Sequence, residues 1–98
     1  MTDEFLDIVY DENAREQMDD LVEADIRYID EPEIYEQILA AVPERVGMEM
    51  GHLGKPYFVF LTKQRFAGPK PLWITYLIER KKHRLRIIDI RQHPNEEI

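Results

Sequence analysis

The stretch LWITYLIERKKHRLRIIDI, residues 72–90, decides the fold of this chain. Residues 72–79 and 85–90 are rich in β-branched, leucine and aromatic side chains, whereas the five residues between them are all basic or histidine. Two such runs joined by a short polar connection predict a β-hairpin. We therefore expect these two strands to pair antiparallel.

Two further strands are predicted outside this hairpin. Residues 57–62 form a continuous apolar and aromatic run, and residues 5–10 form a short β-branched and aromatic one. Residues 66–71 contain Gly68 and two prolines, so they form a loop rather than the interior of a strand. The last three strands are therefore consecutive in sequence and antiparallel.

The residues between the first and second strands carry a helical pattern. Apolar side chains recur every three or four positions in two stripes. The stripes are Ala14, Met18, Leu21, Val22 and Ile26, then Ile34, Ile38, Leu39 and Val42. Asn13 and Glu16 are spaced like a capping box, and Pro32 suits the first turn of a second helix. Pro43 kinks or ends that helix, and one or two further turns can extend to Met50.

This order predicts an α+β domain, β-α-α-β-β-β, in which two N-terminal helices pack on one face of an antiparallel sheet. The 98 residues (1–98) suit a single domain. The chain has no cysteine, no run of roughly 18 apolar residues that would span a membrane, and no signal-peptide pattern. We therefore expect a cytoplasmic protein without disulfide or thiolate chemistry.

The charge is divided unequally along the chain. The net charge is −7, but residues 1–50 hold 16 acidic and three basic residues, and residues 51–98 hold four acidic and ten basic residues. The helical half is therefore acidic and the sheet half basic, which suggests two surfaces with different partners. We expect the uncovered face of the sheet to carry the basic residues and to bind a ligand. The alternative is a segregation of charge that serves only solubility or self-association.

Two segments resemble the RelE/ParE superfamily of bacterial toxins. Residues 8–21, IVYDENAREQMDDL, are similar to the family's opening strand, capped turn and acidic first helix. Residues 72–78 and 86–93, LWITYLI and RIIDIRQH, are similar to its closing hairpin and short basic tail, and RQH resembles the Arg-x-His ending of the YoeB-like branch. Another small α+β module, such as a ferredoxin-like one, shares the element order and is the structural alternative.

The resemblance implies a toxin of a type II toxin–antitoxin system that a cognate antitoxin holds inactive. One branch of the family cuts mRNA on the ribosome, and the other blocks DNA gyrase. Cleavage of this kind needs no metal or cofactor, because the ribose 2′-hydroxyl attacks the adjacent phosphate. It needs a base, an acid and cations instead. No membrane partner is implied, and whether this chain is an enzyme stays open.

The resemblance places two candidate catalytic residues, His93 and Arg91, directly after the last strand. An imidazole suits either proton-transfer role, and a guanidinium can bind phosphate through two hydrogen bonds. The alternatives are an exposed histidine without a role and a solvated arginine.

Three aromatic residues occupy positions where catalytic members of the family carry cations. Phe58 and Phe60 appear where alternating lysines are expected, and Trp73 aligns with an arginine that begins the following strand. These side chains could stack on unpaired bases of a substrate. The alternative is that they belong to the hydrophobic core.

The remaining candidate substrate-binding residues are cations: Lys63, Arg65, Lys70, Arg84 and Arg86. The first three lie near the end of the second predicted strand and on the following loop, where they could replace the missing lysines. The last two belong to a dense basic cluster at residues 80–86, suited to nucleic acid or an acidic protein helix. A charged hairpin tip that discourages edge aggregation is the alternative. Residues 51–56, GHLGKP, lack the spacing of a phosphate loop, and three scattered histidines give no zinc spacing.

Two other classes of function remain open from the sequence. A non-catalytic binding module on the same scaffold would hold an acidic protein partner or nucleic acid against its basic sheet face. An inhibitor would instead use the acidic helical face to mimic nucleic acid or to dock on a basic protein.

Overall fold

The computed structural model describes residues 5–52 and 55–93. The strands are β1 (Asp7–Tyr10), β2 (Met48–His52), β3 (Lys55–Leu61), β4 (Leu72–Glu79) and β5 (Arg84–Gln92). The helices are α1 (Glu12–Ala24), α2 (Glu31–Ala41) and the single turn α3 (Pro43–Val46), with 3₁₀ turns at Ile26–Asp30 and Arg80–Lys82. Residues 1–4, where the sequence shows no signal-peptide pattern, lie outside the described residues. Residues 53 and 54 of the segment 51–56 and the residues after His93 also lie outside them.

The five strands form one sheet in the order β1-β5-β4-β3-β2. The predicted hairpin is confirmed, because β4 and β5 pair antiparallel. β3 pairs with the outer side of β4, and β1 pairs with the outer side of β5. The three C-terminal strands are antiparallel to one another as predicted. The sheet as a whole is mixed, since β1 runs parallel to β5.

The α+β fold with helices on one face of the sheet is confirmed by the composition of the core. Alternate residues of β4 and β5 point to the same side, where they meet α1, α2 and the turn between them. The buried cluster comprises Ala14, Met18, Tyr28, Tyr35, Leu39, Phe58, Leu72, Ile74, Tyr76, Leu85, Ile87 and Ile90. The opposite face of the sheet is left without a helix among the described residues.

One further helical turn after Pro43 is confirmed, but its extension to Met50 is wrong. The helix that begins at Pro43 ends at Val46, and β2 begins two residues later and pairs antiparallel with β3. Met48 lies opposite Val59, and Met50 lies opposite Tyr57. Unpaired backbone groups at the edge of β3 provide partners for this segment, and tertiary pairing of that kind overrides local helix propensity.

The predicted capping box is also wrong. α1 begins at Glu12 with Asp11 at its N-cap, and no side chain caps this end. Asn13 lies inside the helix and donates from Nδ2 to the Ile88 carbonyl at 3.3 Å, while Asp11 pairs with Arg86. Long-range contacts with β5 therefore occupy both polar side chains that a local cap would use.

The apolar stripe predicted for α2 is only partly buried. Leu39 lies in the core, but Ile34 and Ile38 are 41% and 37% exposed. The buried face of the helix is instead the row that includes Glu31, Tyr35 and Leu39. Tyr35 turns inward because its hydroxyl hydrogen-bonds the Tyr10 hydroxyl at 2.8 Å and lies 3.7 Å from the Met18 sulfur.

Candidate functional site

The open face of the sheet is apolar in its middle. Side-chain alternation places Trp73 and Thr75 on the side opposite the buried Leu72 and Ile74. Met48, Met50, Val59 and Trp73 line a depression of about 280 Å³. A second depression of about 440 Å³ continues past Thr75 to Ile88 and Asp89. The expectation that basic residues gather across this face is therefore wrong for its centre, and the cations lie at its ends.

A register shift in β5 determines which residues reach this face at one end. Thr75 pairs with Asp89, but Tyr76 pairs with Ile87, so Ile88 is an additional residue on β5. A bulge of this kind changes which side chains share a face on either side of it. As a result, Asp89 and Arg91 lie on the open face with Thr75 and Trp73. Before the bulge, Leu85 and Ile87 face the helices.

His93 and Trp73 are brought together as a pair. Their ring centroids are 5.3 Å apart at an interplanar angle of 39°, and the His93 backbone N–H donates to the Pro71 carbonyl at 2.8 Å. The imidazole is half-buried, so it is held in place without being removed from solvent. Trp73 is opposite Arg91 in the β4–β5 register, which adds a guanidinium to this end of the sheet.

Asp89 and Gln17 support this corner, and both were missed from sequence. Arg91 donates from Nε to Asp89 at 2.9 Å, and Gln17 donates to the same carboxylate at 3.0 Å. Gln17 also accepts from the Ile90 backbone N–H at 2.7 Å. The guanidinium nevertheless remains 73% exposed and accessible to a ligand. The only sequence signal for this network is an Asp two residues before the Arg; Gln17 is 72 residues away from Asp89.

Phe58 and Phe60 do not belong to this site. Phe58 is buried and stacks on Tyr76, with ring centroids 5.5 Å apart and planes 13° from parallel. Phe60 packs against the same core and lines a groove beside α2. Both rings lie on the helix-covered face, so the predicted role in stacking on a substrate is wrong for them. Among the three predicted aromatics, Trp73 alone lies on the open face.

Two of the three candidate cations at the β3–β4 loop lie beside α2. Arg65 forms an ion pair with Glu31, which is buried at the start of α2. Lys63 lines the groove between α2 and β3, and Lys70 is exposed one residue before Pro71. Lys70 is therefore the sequence neighbour of the residue that binds the His93 backbone, whereas Arg65 is paired with α2.

Arg84 and Arg86 lie at the opposite end of β5 from His93. Both pair with Glu79, and Arg86 also donates to Asp11 at 2.8 Å. Hydrogen bonds from Arg84 and Arg86 lower the pKa of Glu79 to about 2. Nine residues of strand separate Arg84 from His93, which corresponds to roughly 30 Å. These two arginines are therefore largely neutralised by carboxylates and distant from the candidate catalytic pair.

The two candidate catalytic residues, His93 and Arg91, meet Trp73 and Asp89 at one corner of the sheet. An imidazole can accept or donate a proton, and an accessible guanidinium can bind a phosphate oxygen. Within residues 5–52 and 55–93, no group of three histidine or acidic side chains is arranged to hold a metal ion. Over the same residues, no helix is long and apolar enough to cross a membrane.

The architecture is a RelE-like fold, so the resemblance seen in the sequence is confirmed at the level of the fold. The chain is similar to a chain of the toxin–antitoxin complex RelBE2 from Mycobacterium tuberculosis, whose crystal structure is known. The TM-score is 0.70 and the identity 15%, and the match covers 93% of this chain and 94% of the other. No protein-family model matches the sequence. No curated protein matches it either.

Proposed function

We propose that this chain is the toxin of a type II toxin–antitoxin module and that an antitoxin protein binds and inactivates it in the cytoplasm. The support is the RelE-like fold over almost the whole chain, together with a structural neighbour that was solved as a toxin–antitoxin complex. The acidic half, with 16 acidic residues in the first 50, provides a large surface for a partner of opposite charge.

We further propose that the toxin acts on RNA at the corner formed by His93, Trp73 and Arg91. The observation that carries this proposal is the contact of His93 with Trp73 beside an exposed Arg91, on the face of the sheet opposite the described helices. A histidine held by a neighbouring ring and a backbone hydrogen bond is positioned for proton transfer. A guanidinium on the same edge supplies positive charge for a phosphate.

The reaction that this corner could support is cleavage by the ribose 2′-hydroxyl. The 2′-oxygen forms a bond to the adjacent phosphorus as it loses its proton, and the bond from phosphorus to the 5′-oxygen breaks as that oxygen gains one. His93 would take the first proton or supply the second. Arg91, oriented through its Nε by Asp89, would bind the phosphate oxygens that gain charge in the transition state.

Incubation of the purified protein with translating ribosomes, followed by mapping of mRNA 5′ ends, tests this role. We expect cutting by the wild type and a roughly 10²- to 10⁴-fold slower rate for His93→Ala, the range that general acid–base groups contribute. His83→Asn is the matched control, because His83 lies in the turn at the other end of β5 with φ 54°. Equal cutting by wild type and His93→Ala would refute the role of His93, and no cutting by the wild type would refute RNA cleavage.

A non-catalytic binding module is the second candidate function, favoured by the apolar centre of the open face and by the carboxylates that engage Arg84 and Arg86. In this case a protein target, such as DNA gyrase, would cover Trp73 and the neighbouring methionines. Growth arrest that is relieved by the antitoxin, without mRNA cutting and with inhibition of gyrase supercoiling, would identify this function. Expression with and without the neighbouring reading frame would show whether an antitoxin is encoded there.

A further inference from the structure

The loop between β3 and β4 presents an aromatic side chain that the fold does not use. Phe66 is fully exposed, although burial of a phenyl ring stabilises a folded chain. Single exposed apolar residues are common on surfaces, so exposure alone indicates nothing. The way in which the loop holds this ring is the relevant observation.

Hydrogen bonds to backbone carbonyls fix the conformation of this loop. Arg27 donates from Nη1 to the carbonyls of Ala67 and Gly68 at 3.2 Å each, and Gln64 donates from Nε2 to the Pro69 carbonyl at 3.2 Å. Ala67 has φ 60°, a left-handed conformation that is unfavourable for a residue with a Cβ. The loop is therefore held in a strained conformation next to Phe66, and a ligand that contacts this ring would not have to order the loop.

The loop itself carries basic side chains and no acidic residue. Carboxylates of the helical half reach its base, where Glu31 pairs with Arg65 and Asp25 pairs with the arginine that binds the loop. Lys63 and Lys70 are exposed on either side of the loop tip. A flat apolar ring on a loop that also carries two exposed lysines is suited to an unpaired nucleobase and its adjacent phosphates, since bases stack on aromatic rings in basic surroundings.

The loop also adjoins the candidate catalytic corner. Its last residue, Pro71, accepts the hydrogen bond from the His93 backbone, and Phe66 lies five residues earlier. Five residues span at most roughly 18 Å. One RNA strand could therefore contact both His93 and Phe66.

We propose that Phe66 is a base-stacking anchor for single-stranded RNA and that Lys63 and Lys70 contact the phosphates beside the stacked base. This proposal rests on the proposed function, because it adds a second contact to the RNA on which His93 would act. It assigns binding, and not chemistry, to the loop.

Fluorescence anisotropy with a labelled, unstructured RNA oligomer tests the proposal. The oligomer carries 2′-O-methyl groups, so that it cannot be cut and binding is measured independently of cleavage. We expect Phe66→Ala to weaken binding about 5- to 100-fold, the range of one base–aromatic stack, and Phe66→Trp to retain it. Phe5→Ala is the matched control, because Phe5 is an exposed phenylalanine beside the opposite end of the sheet.

The salt dependence separates stacking from charge. Loss of Phe66 should leave the slope of log affinity against log salt concentration unchanged, whereas Lys63→Ala with Lys70→Ala should reduce it by about 0.7 for each lost phosphate contact. Equal affinity of wild type and Phe66→Ala would refute the role of Phe66 in RNA binding. It would not bear on mRNA cleavage, which is measured separately with translating ribosomes. Failure of the wild type to bind the oligomer would also refute RNA binding by Phe66. Co-purification of wild type and Phe66→Ala with the antitoxin would then show whether Phe66 contacts protein instead.

Discussion

Glu79 illustrates how single residues set the electrostatics of this sheet. Its carboxylate lies between Arg84 and Arg86, both on β5, and its pKa falls to about 2 from an ordinary value of 4.5. A dense basic cluster in the sequence therefore becomes a set of ion pairs in the structure. Arg91, beside the candidate site, pairs with Asp89 through Nε, and its side chain remains 73% exposed.

The stability of the protein should depend on pH through Glu79. A carboxyl whose pKa is depressed by folding stabilises the native state above its unfolded pKa, and this contribution is lost as the pH falls. The difference in melting temperature between wild type and Glu79→Gln should therefore be constant above about pH 4.5 and should shrink between pH 4.5 and pH 2. Thermal unfolding followed by circular dichroism at a series of pH values measures it.

Glu23→Gln provides the control for this prediction, because Glu23 is exposed on α1. A difference that stays constant down to pH 2 would show that the two arginines do not engage Glu79 in solution.

At the scale of elements, the junction between α3 and β2 brings the backbone into close contact with a core side chain. Gly47 follows α3, and a Cβ at this position would overlap the Tyr76 hydroxyl and lie 2.9 Å from Tyr76 Cζ. That hydroxyl donates to the Pro43 carbonyl, so it cannot move without breaking a buried hydrogen bond. The short turn from α3 into the edge strand β2 therefore requires glycine for close approach.

We expect Gly47→Ala to destabilise the protein by about 2–3 kcal/mol, the cost of overpacking a core. Tyr76→Phe alone should cost about 1–3 kcal/mol, because it leaves the Pro43 carbonyl without its donor. The double variant should be less destabilised than the sum, since removal of the hydroxyl relieves the overlap. Chemical denaturation of all four proteins gives this coupling, and strict additivity would contradict the contact.

The elements that the sequence predicts well are those whose pattern is local. The runs at 72–79 and 85–90 combine β-branched and aromatic residues with a polar connection, and β4 has the predicted bounds. Residues 48–52 contain two methionines, a glutamate, a glycine and a histidine, which carry no strand pattern. They become a strand only because β3 offers an edge, and this depends on residues outside the segment.

The candidate site is less predictable because it depends on which face each strand residue takes. In a run such as 57–61, apolar residues occupy both faces, so periodicity cannot distinguish Phe58 in the core from Val59 on the open face. The bulge at Ile88 then shifts the faces of Asp89 and Arg91, and no local sequence feature indicates it. The neutralisation of Arg86 requires Asp11, 75 residues away in the chain.

At the scale of the whole molecule, β2 is an edge of the sheet with which no further described strand pairs. β2 is the last strand of the sheet, and Met48 and Met50 on its open face are 67% and 48% exposed. Exposed apolar edge strands favour pairing with other chains, and a lysine at such an edge opposes it.

We expect Met48→Lys to reduce concentration-dependent self-association of the protein without its antitoxin, with a change in stability within about 0.5 kcal/mol. Light scattering over a concentration series measures the association. Ile34→Lys, which adds the same charge to α2, is the control. An equal reduction by this control would mean that net charge, and not the β2 edge, governs the association.

The parallel pairing of β1 with β5 has a consequence for biosynthesis. Residues 7–10 align with residues 84–87, so β1 gains its neighbour in the sheet only after the other four described strands have been synthesised. Because β5 also lies between β1 and β4, a nascent chain that stops before residue 84 lacks the strand that joins the two sides of the sheet. A chain interrupted before β5 therefore cannot complete this sheet, which can form only after residues 84–92 have been translated.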